Sequence, residues 1–292
     1  MIISFASGKG GTGKTILSTS FALLLRDDNP KAQVNFLDCD VEEPNAALFL
    51  KPHLNKPISV GIPVPKIDEE RCTYCGRCAE VCAYNALAVV KDKVLVFTEL
   101  CHGCGGCTVL CPEQAVSECD REIGIVQEGM CGRMKFIHGK LNVGEPMAPP
   151  VIKAVKEHCL VKGSGGEVFT IIDAPPGTSC PVIEAVKNSD FSVLVTEPTP
   201  FGLHDLILAV ETLRTLNIPF GIVVNRARTN DSIIDEYCVR EHIPLLARIP
   251  MDRDIAVAYS NGIPFVHINE RYQSMVKTLC RTVQQEAMKD VG

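Results

Sequence analysis

The sequence predicts an α/β fold: one doubly wound, mostly parallel sheet, interrupted once by a small α+β unit. Three observations carry that reading. Short apolar runs alternate with helical stretches at both ends of the chain, a dense cysteine segment separates the two series, and prolines crowd the approach to that segment. The 292 residues suffice for one large domain and one small one.

The first element is the apolar run Ile2 to Phe5, which ends in a Gly-rich turn. A helical pattern follows from Thr15 to Leu25 and stops near Asn29-Pro30. Val34 to Leu37 reads as a second buried strand leading into Asp38-Cys39-Asp40. The alternation then ceases. The stretch 51–65 holds Pro52, Pro57, Pro63 and Pro65 and reads as a linker. The rhythm resumes at Phe169 to Asp173, with further strand-like runs at Ser192–Val195, Gly221–Val224 and Leu245–Ile249. Helical stretches separate them at Val182–Lys187, Leu206–Leu216, Ile233–His242 and Tyr272–Met288. Strands alternating with helices imply a parallel sheet covered on both faces, with right-handed crossovers. Between the two series, Ile123–Val126 and Met134–Ile137 read as a hairpin returning to the large domain. The expected organisation is 1–65 and 119–292 as the two parts of the large domain, with 66–118 inserted.

A net charge of −6 argues against general nucleic-acid binding, which usually needs a basic face. No run approaches the ~18 apolar residues of a membrane span, and no signal peptide opens the chain, so a cytoplasmic protein is expected. Fifteen cysteines in a reducing compartment point to metal binding or redox work rather than disulfides.

Gly8-Lys9-Gly10-Gly11-Thr12-Gly13-Lys14-Thr15 satisfies G-x-x-x-x-G-K-S/T between an expected strand and an expected helix. The glycines let backbone N–H groups surround phosphate oxygens at a positive helix N-terminus. Lys14 is placed to reach the β- and γ-phosphates, and the Thr15 hydroxyl to ligate Mg²⁺; Ile16 follows in the same turn. Asp173 at a strand end suits Mg²⁺ held through water. Asp38 suits the orientation of an attacking water, and Asp40, two residues on, a switch role or a cap.

The early Lys9 makes this loop resemble the deviant Walker A motif of the MinD/ParA/nitrogenase iron protein class. In that class the corresponding lysine reaches the partner subunit's nucleotide. Asp38 to Asn45 resembles the switch I element of the class, and Asp173-Ala174-Pro175-Pro176-Gly177 its Walker B and switch II element. Thr196-Glu197-Pro198-Thr199 fits the class as well. So does Pro250-Met251-Asp252, whose Pro250 and Asp252 are expected at the nucleotide, and Asn225-Arg226 matches the position where the class holds the base. The resemblance implies ATP or ADP as ligand, hydrolysis through Lys9, Lys14, Asp38 and Asp40, and an ATP-dependent homodimer or a heterodimer with a paralogue.

Eight cysteines lie between Cys72 and Cys111. Cys72, Cys75, Cys78 and Cys82 have the spacing C-x-x-C-x-x-C-x-x-x-C, which Cys101, Cys104, Cys107 and Cys111 repeat. This is the two-cluster ferredoxin run, in which the fourth cysteine ligates the other [4Fe–4S] cluster. One cluster is therefore assigned Cys72, Cys75, Cys78 and Cys111, and the second Cys101, Cys104, Cys107 and Cys82. Paired zinc ribbons also use C-x-x-C, but two three-plus-one runs fit tetrahedral zinc poorly. Gly76, Gly103, Gly105 and Gly106 fall where the backbone must wrap tightly, and His102 reads as a solvent-facing loop residue. Cys39, Cys119, Cys131, Cys159, Cys238 and Cys280 read as small buried hydrophobes. Cys180, seven residues after Asp173, is read as packing too; the nitrogenase iron protein has a cluster ligand in that neighbourhood.

The whole chain thus resembles a P-loop domain with an inserted ferredoxin-like α+β domain, as in MinD-family ATPases of anaerobes, some from orange protein complexes. That resemblance implies a nucleotide switch coupled to a redox or metallocofactor partner protein. Two other readings stand beside it. A MinD-like spatial organiser usually ends in a basic amphipathic helix, whereas Glu270 to Gly292 mixes charges and reads as a core-packed helix with no stable membrane anchor. An iron–sulfur carrier like Mrp uses a C-terminal C-x-x-C pair, and no such pair lies outside the insert.

Overall fold

The computed structural model describes residues 1–159, 166–228 and 232–289. Residues 160–165, the end of the stretch between the expected hairpin and Phe169, lie outside them, as do 290–292. Seven strands run parallel and side by side: β12 (Leu245–Pro250), β11 (Phe220–Ala227), β10 (Phe191–Thr196), β1 (Ile2–Ser7), β9 (Val168–Pro176), β2 (Gln33–Asp38) and β8 (Met134–Leu141). The order jumps away from β1 in both directions, which is the doubly wound arrangement the alternation predicts.

Alternation along each strand sends neighbours to opposite faces of the sheet. Phe36, Phe136, Ile171 and Val193 join one core, against α1 (Lys14–Asp28) and α10 (Glu270–Lys289). Leu37, Ile137, Ile172 and Leu194 join the other, with α5 (Pro149–His158), α6 (Cys180–Val186), α7 (Pro200–Thr215) and α8 (Ile233–Glu241). Tyr272, Val276, Leu279 and Val283 are buried along α10, so the last helix packs on the core as its spacing predicts.

The segment expected to be a linker is a strand. β4 (Ile58–Ile67) pairs antiparallel with β7 (Val116–Cys131) from Ile58↔Val126 to Ile67↔Val116. Pro63 and Pro65 are tolerated because β4 has β7 as its partner strand and is otherwise an edge. Two residues apart, they place their missing N–H groups on the same side of the ladder. At ~3.3 Å per residue the ribbon spans about 30 Å. Near its base β7 also carries the short strand β3 (His53–Leu54).

The expected hairpin exists with a different register. β7 turns tightly at Gly132 into β8, so Met134 pairs with Cys131, and Val126 pairs with Gly139. β8 then lies parallel to β2, with His138 opposite Asp38. Beyond the ribbon lie α3 (Arg77–Glu80), α4 (Gly106–Val109) and a two-stranded hairpin of β5 (Leu87–Val90) and β6 (Lys93–Val96). Two further helices, α2 (Ala46–Leu50) and α9 (Arg253–Ser260), escaped the sequence pattern, as did α5. No helix among the described residues is long and apolar enough to cross a membrane.

At Gly139, β8 packs closely against both the segment after β2 and α5. An added Cβ would lie 2.7 Å from Val41, 2.8 Å from Val151 and 2.9 Å from Val155. Gly139→Val should destabilise the protein by about 1–3 kcal/mol. Urea unfolding should show a lower midpoint at unchanged slope, and an unaltered midpoint would contradict this packing.

Candidate functional site

β1, β9 and β2 are neighbours, and Asp38 and Asp173 stand in register across β2 and β9. The loop 8–13 leaves β1 at these strand ends, and α1 begins at Lys14. Gly11 and Gly13 have φ of 76° and 88°, a backbone conformation that L side chains resist. A Cβ at Gly13 would lie 2.3 Å from the Asn225 amide nitrogen, and one at Gly8 would lie 2.1 Å from the Asp205 carbonyl oxygen. Asn225 Nδ2 donates to the Thr12 carbonyl at 2.7 Å, which ties the loop to β11.

Lys14, Thr15, Asp38 and Asp173 are buried. Lys14 Nζ donates to Asp173 Oδ1 at 3.0 Å and lies 3.9 Å from Asp40 Oδ2. Burial opposes the ammonium, but Asp173 and Asp40 outweigh it, so its pKa is raised. Burial, then the charge of Asp173, holds the Asp38 carboxyl well above the usual carboxylate range. Burial also pushes Asp40 up to about 6, against the pull of Lys14. Asp38 accepts from the N–H groups of Asp40 and Ala46 at 3.2 and 3.0 Å. Of the two, Asp40 is the partly exposed one, so access to an incoming water favours Asp40 over Asp38 in this conformation.

Three carboxylates therefore face one lysine. Asp173 Oδ2 is buried and has no hydrogen-bond partner among the described residues. A hard divalent cation such as Mg²⁺ would suit this oxygen-rich set, and Asp173 and Thr15 are the residues that could hold it. Lys9 Nζ pairs with Glu197 Oε2 at 3.3 Å, while Arg226 donates to the other oxygen of that carboxylate. Beside the loop, Ile16, Asn225, Arg226, Pro250 and Asp252 line a cleft of about 300 Å³. Asp252 also caps α9, accepting from the Asp254 N–H at 2.9 Å and from the Tyr272 hydroxyl.

The eight clustered cysteines divide between two cavities. Cys72, Cys75, Cys78 and Cys111 line one, and Cys82, Cys101, Cys104 and Cys107 line the other; each is small, about 20 Å³, and partly open to solvent. The fourth cysteine of each run thus sits with the first three of the other. Backbone donors meet sulfur at equivalent places: Ala86 N–H to Cys82 and Ala115 N–H to Cys111, each at 3.3 Å. No group of three His, Cys, Asp or Glu among the described residues is placed to hold a single metal ion. Each cavity thus carries four thiols, the number that a polynuclear cluster takes with one ligand per iron.

The CobQ/CobB/MinD/ParA nucleotide-binding domain family matches residues 3–265, nine-tenths of the chain. The chain belongs to this family. It is 32% identical to the uncharacterized protein MJ0579 of Methanocaldococcus jannaschii over 92% of this chain and 93% of that one. Its identity to MJ0578 of the same organism is also 32%, over 98% and 97%. An iron-sulfur cluster carrier protein of Rickettsia typhi is 25% identical over 91% of this chain and 66% of its own length. Among solved structures, the septum site-determining protein MinD of Pyrococcus horikoshii, complexed with Mg-ADP, superposes with a TM-score of 0.60. It covers 98% of this chain and 96% of that one at 18% identity, a likeness of fold.

Within this family frame, some cleft residues were not foreseen. Ile255, Ala256 and Tyr259 complete the cleft; the apolar pair Ile255 and Tyr259, four apart, was the available signal for α9. Glu197 was seen only as part of a motif, not as the anion that holds Lys9. His102 is exposed as expected, but its ring stacks on Tyr84 at 3.7 Å. Cys39, Cys159, Cys238 and Cys280 are buried and Cys131 half-buried, whereas Cys119 and Cys180 are exposed, so packing does not account for those two.

Asp40 gives a pH signature. Its pKa is raised from 3.8 to about 6 in the nucleotide-free protein. A carboxyl raised in the folded state stabilises the fold below its unfolded pKa and loses that contribution as pH climbs through the folded value. Across this window Asp40 therefore weakens the fold as pH rises. Asp40→Asn should gain stability relative to the parent at about pH 7 compared with about pH 5. Urea unfolding at both pH values reads the difference, and an equal effect at both would contradict the raised pKa.

Proposed function

We propose that this protein is a dimeric, Mg²⁺-dependent ATPase whose nucleotide state is coupled to an inserted ferredoxin-like domain, residues 66–118, holding two [4Fe–4S] clusters. One observation carries the reading. Two cavities, each with four cysteines in crossed assignment, stand on a β-ribbon continuous with the sheet whose strand ends form the nucleotide site. The clusters would supply one-electron redox chemistry.

The chain's own residues define the switch. Lys14, tied to Asp173 without nucleotide, would release it for phosphate, leaving Asp173 to the metal ion with Thr15. Asp40, with Asp38 behind it, would orient the attacking water. Lys9 would leave Glu197 to reach the nucleotide of a second subunit. The cleft of Ile16, Asn225, Arg226, Pro250 and Asp252 would take the base and ribose. Movement of the segment after Asp38 reaches the ribbon directly. The Leu141 N–H donates to the Val41 carbonyl at 2.8 Å, and the Asn142 N–H donates to Ile123 on β7 at 2.9 Å.

A second reading has its own support. Relatives carry the name iron-sulfur cluster carrier protein, and one cysteine of each cavity, Cys75 and Cys104, is exposed. Under that reading the clusters are cargo, and they should pass to an apo-acceptor protein in the presence of ATP. Retention of both clusters through many turnovers would favour the resident redox role.

Anaerobically purified protein should contain about eight iron atoms per chain. Cys111→Ala and Cys82→Ala should each remove about half of them and leave the EPR signal of one cluster. Zinc instead of iron, or total loss in both variants, would contradict the crossed assignment. Lys14→Ala should retain the iron while ATP hydrolysis falls at least about 100-fold, as expected when a transition-state charge contact is lost. Unchanged hydrolysis would remove the loop from the chemistry.

A further inference from the structure

The two cysteine cavities are not equivalent in their surroundings. The cavity of Cys72, Cys75, Cys78 and Cys111 is lined by Ile67 and Val116 at the far end of the ribbon. The other is lined by Pro63, Pro65 and Glu118, closer to the large domain, and its Cys101 packs against the core that includes Ile62, Val64 and Val41. From Val94 to Asp120 the chain has no lysine or arginine but carries Glu99, Glu113, Glu118 and Asp120. The first cation after this stretch is Arg121 on β7.

Arg121 is mostly buried and held by both oxygens of Glu145, one of them at 3.0 Å. It lies within electrostatic reach of Glu99 and Cys101. Its Nε–H is buried and has no acceptor among the described residues. A guanidinium needs only two of its donors for a bidentate carboxylate, so a buried third donor is left over, on the residue that pairs across the ribbon with Ile62 of the core on which Cys101 packs. Glu145 belongs to the loop that follows Leu141, whose N–H is bonded to Val41 after the second strand.

We infer that Arg121 is a positioning residue that sets the reduction potential of the second cluster alone, with Glu145 fixing its guanidinium and partly offsetting its charge. The inference rests on the proposed presence of clusters in both cavities. Adding one electron makes a cluster with its thiolates more negative, so a nearby fixed cation favours the reduced form and raises the potential. Removing Glu145 uncovers that charge and works in the same direction. The two residues therefore carry opposite signs. Among the described residues lining the first cavity there is no counterpart held in this way; its Arg77 is exposed and pairs with Glu80 at 3.2 Å.

The experiment is an anaerobic EPR titration of the full-length protein and the variants Arg121→Gln and Glu145→Gln, without nucleotide. Iron content shows first whether both clusters are present in each variant; their absence from the parent would defeat the cluster reading itself, separately from this inference. With both present, Arg121→Gln should lower the potential of one cluster by about 59 mV, a tenfold fall in its reduced-to-oxidised ratio at fixed potential. Glu145→Gln should raise the potential of that same cluster, and the other cluster should not move in either variant. Arg121→Lys, which keeps the charge, should restore most of the parent value. Shifts of the same sign in both variants, equal shifts in both clusters, or no shift at all would overturn the assignment, since a merely structural ion pair predicts those results.

Discussion

The pairing of β2 with its two neighbours is the constraint on which the rest depends. On one side β9 places Asp173 level with Asp38, and so builds the carboxylate group around Lys14. On the other side β8 runs parallel to β2 and returns through the tight turn at Gly132 to β7. β7 then rises with β4 into the ribbon that carries the cysteine unit. One strand thus ends at the phosphate loop's carboxylates and borders the hairpin from which the thiolate cavities are suspended. Gly139 belongs to this joint, because only the absence of a side chain lets Val41 close on β8.

Both sites also share an electrostatic character. Around Lys14, buried carboxylates outnumber cations, and Asp173 keeps an unpartnered oxygen. Around the second cavity, four cysteines and Glu118 line the space. Such arrangements are costly when unpaired and become favourable when a cation or cluster supplies the missing charge. The Lys14–Asp173 pair is a holding arrangement of this kind. It keeps the lysine charged in a buried position and, under the proposed function, would give way to a phosphate and a metal ion.

Much of this was legible in the sequence because it is encoded locally. The loop from Gly8 to Thr15 and the two cysteine runs are contiguous patterns, and their spacing expresses the geometry that the ligands need. Asn225 and Arg226 were legible by resemblance. The ribbon was not. Pro63 and Pro65 suggest a linker until β4 is known to be an edge strand, where missing N–H groups cost nothing. Ser117 to Glu122 gives no apolar alternation, because this part of β7 is largely solvated. Arg121 and Glu145 are separated by 24 residues, and no local pattern marks them as partners. The wall formed by α9 was missed because its apolar residues run consecutively from Ile255 to Tyr259, without a helical period, and most of them are exposed.

The central claim is that nucleotide bound at the ends of β1, β9 and β2 is felt at the cysteine cavities through the joint between Val41 and β8. An anaerobic redox titration of the parent protein, with and without Mg²⁺ and ATP, tests it most directly. The account predicts that nucleotide shifts the potential of the cluster nearer the large domain more than that of the distal one. Superimposable titrations of both clusters would contradict it.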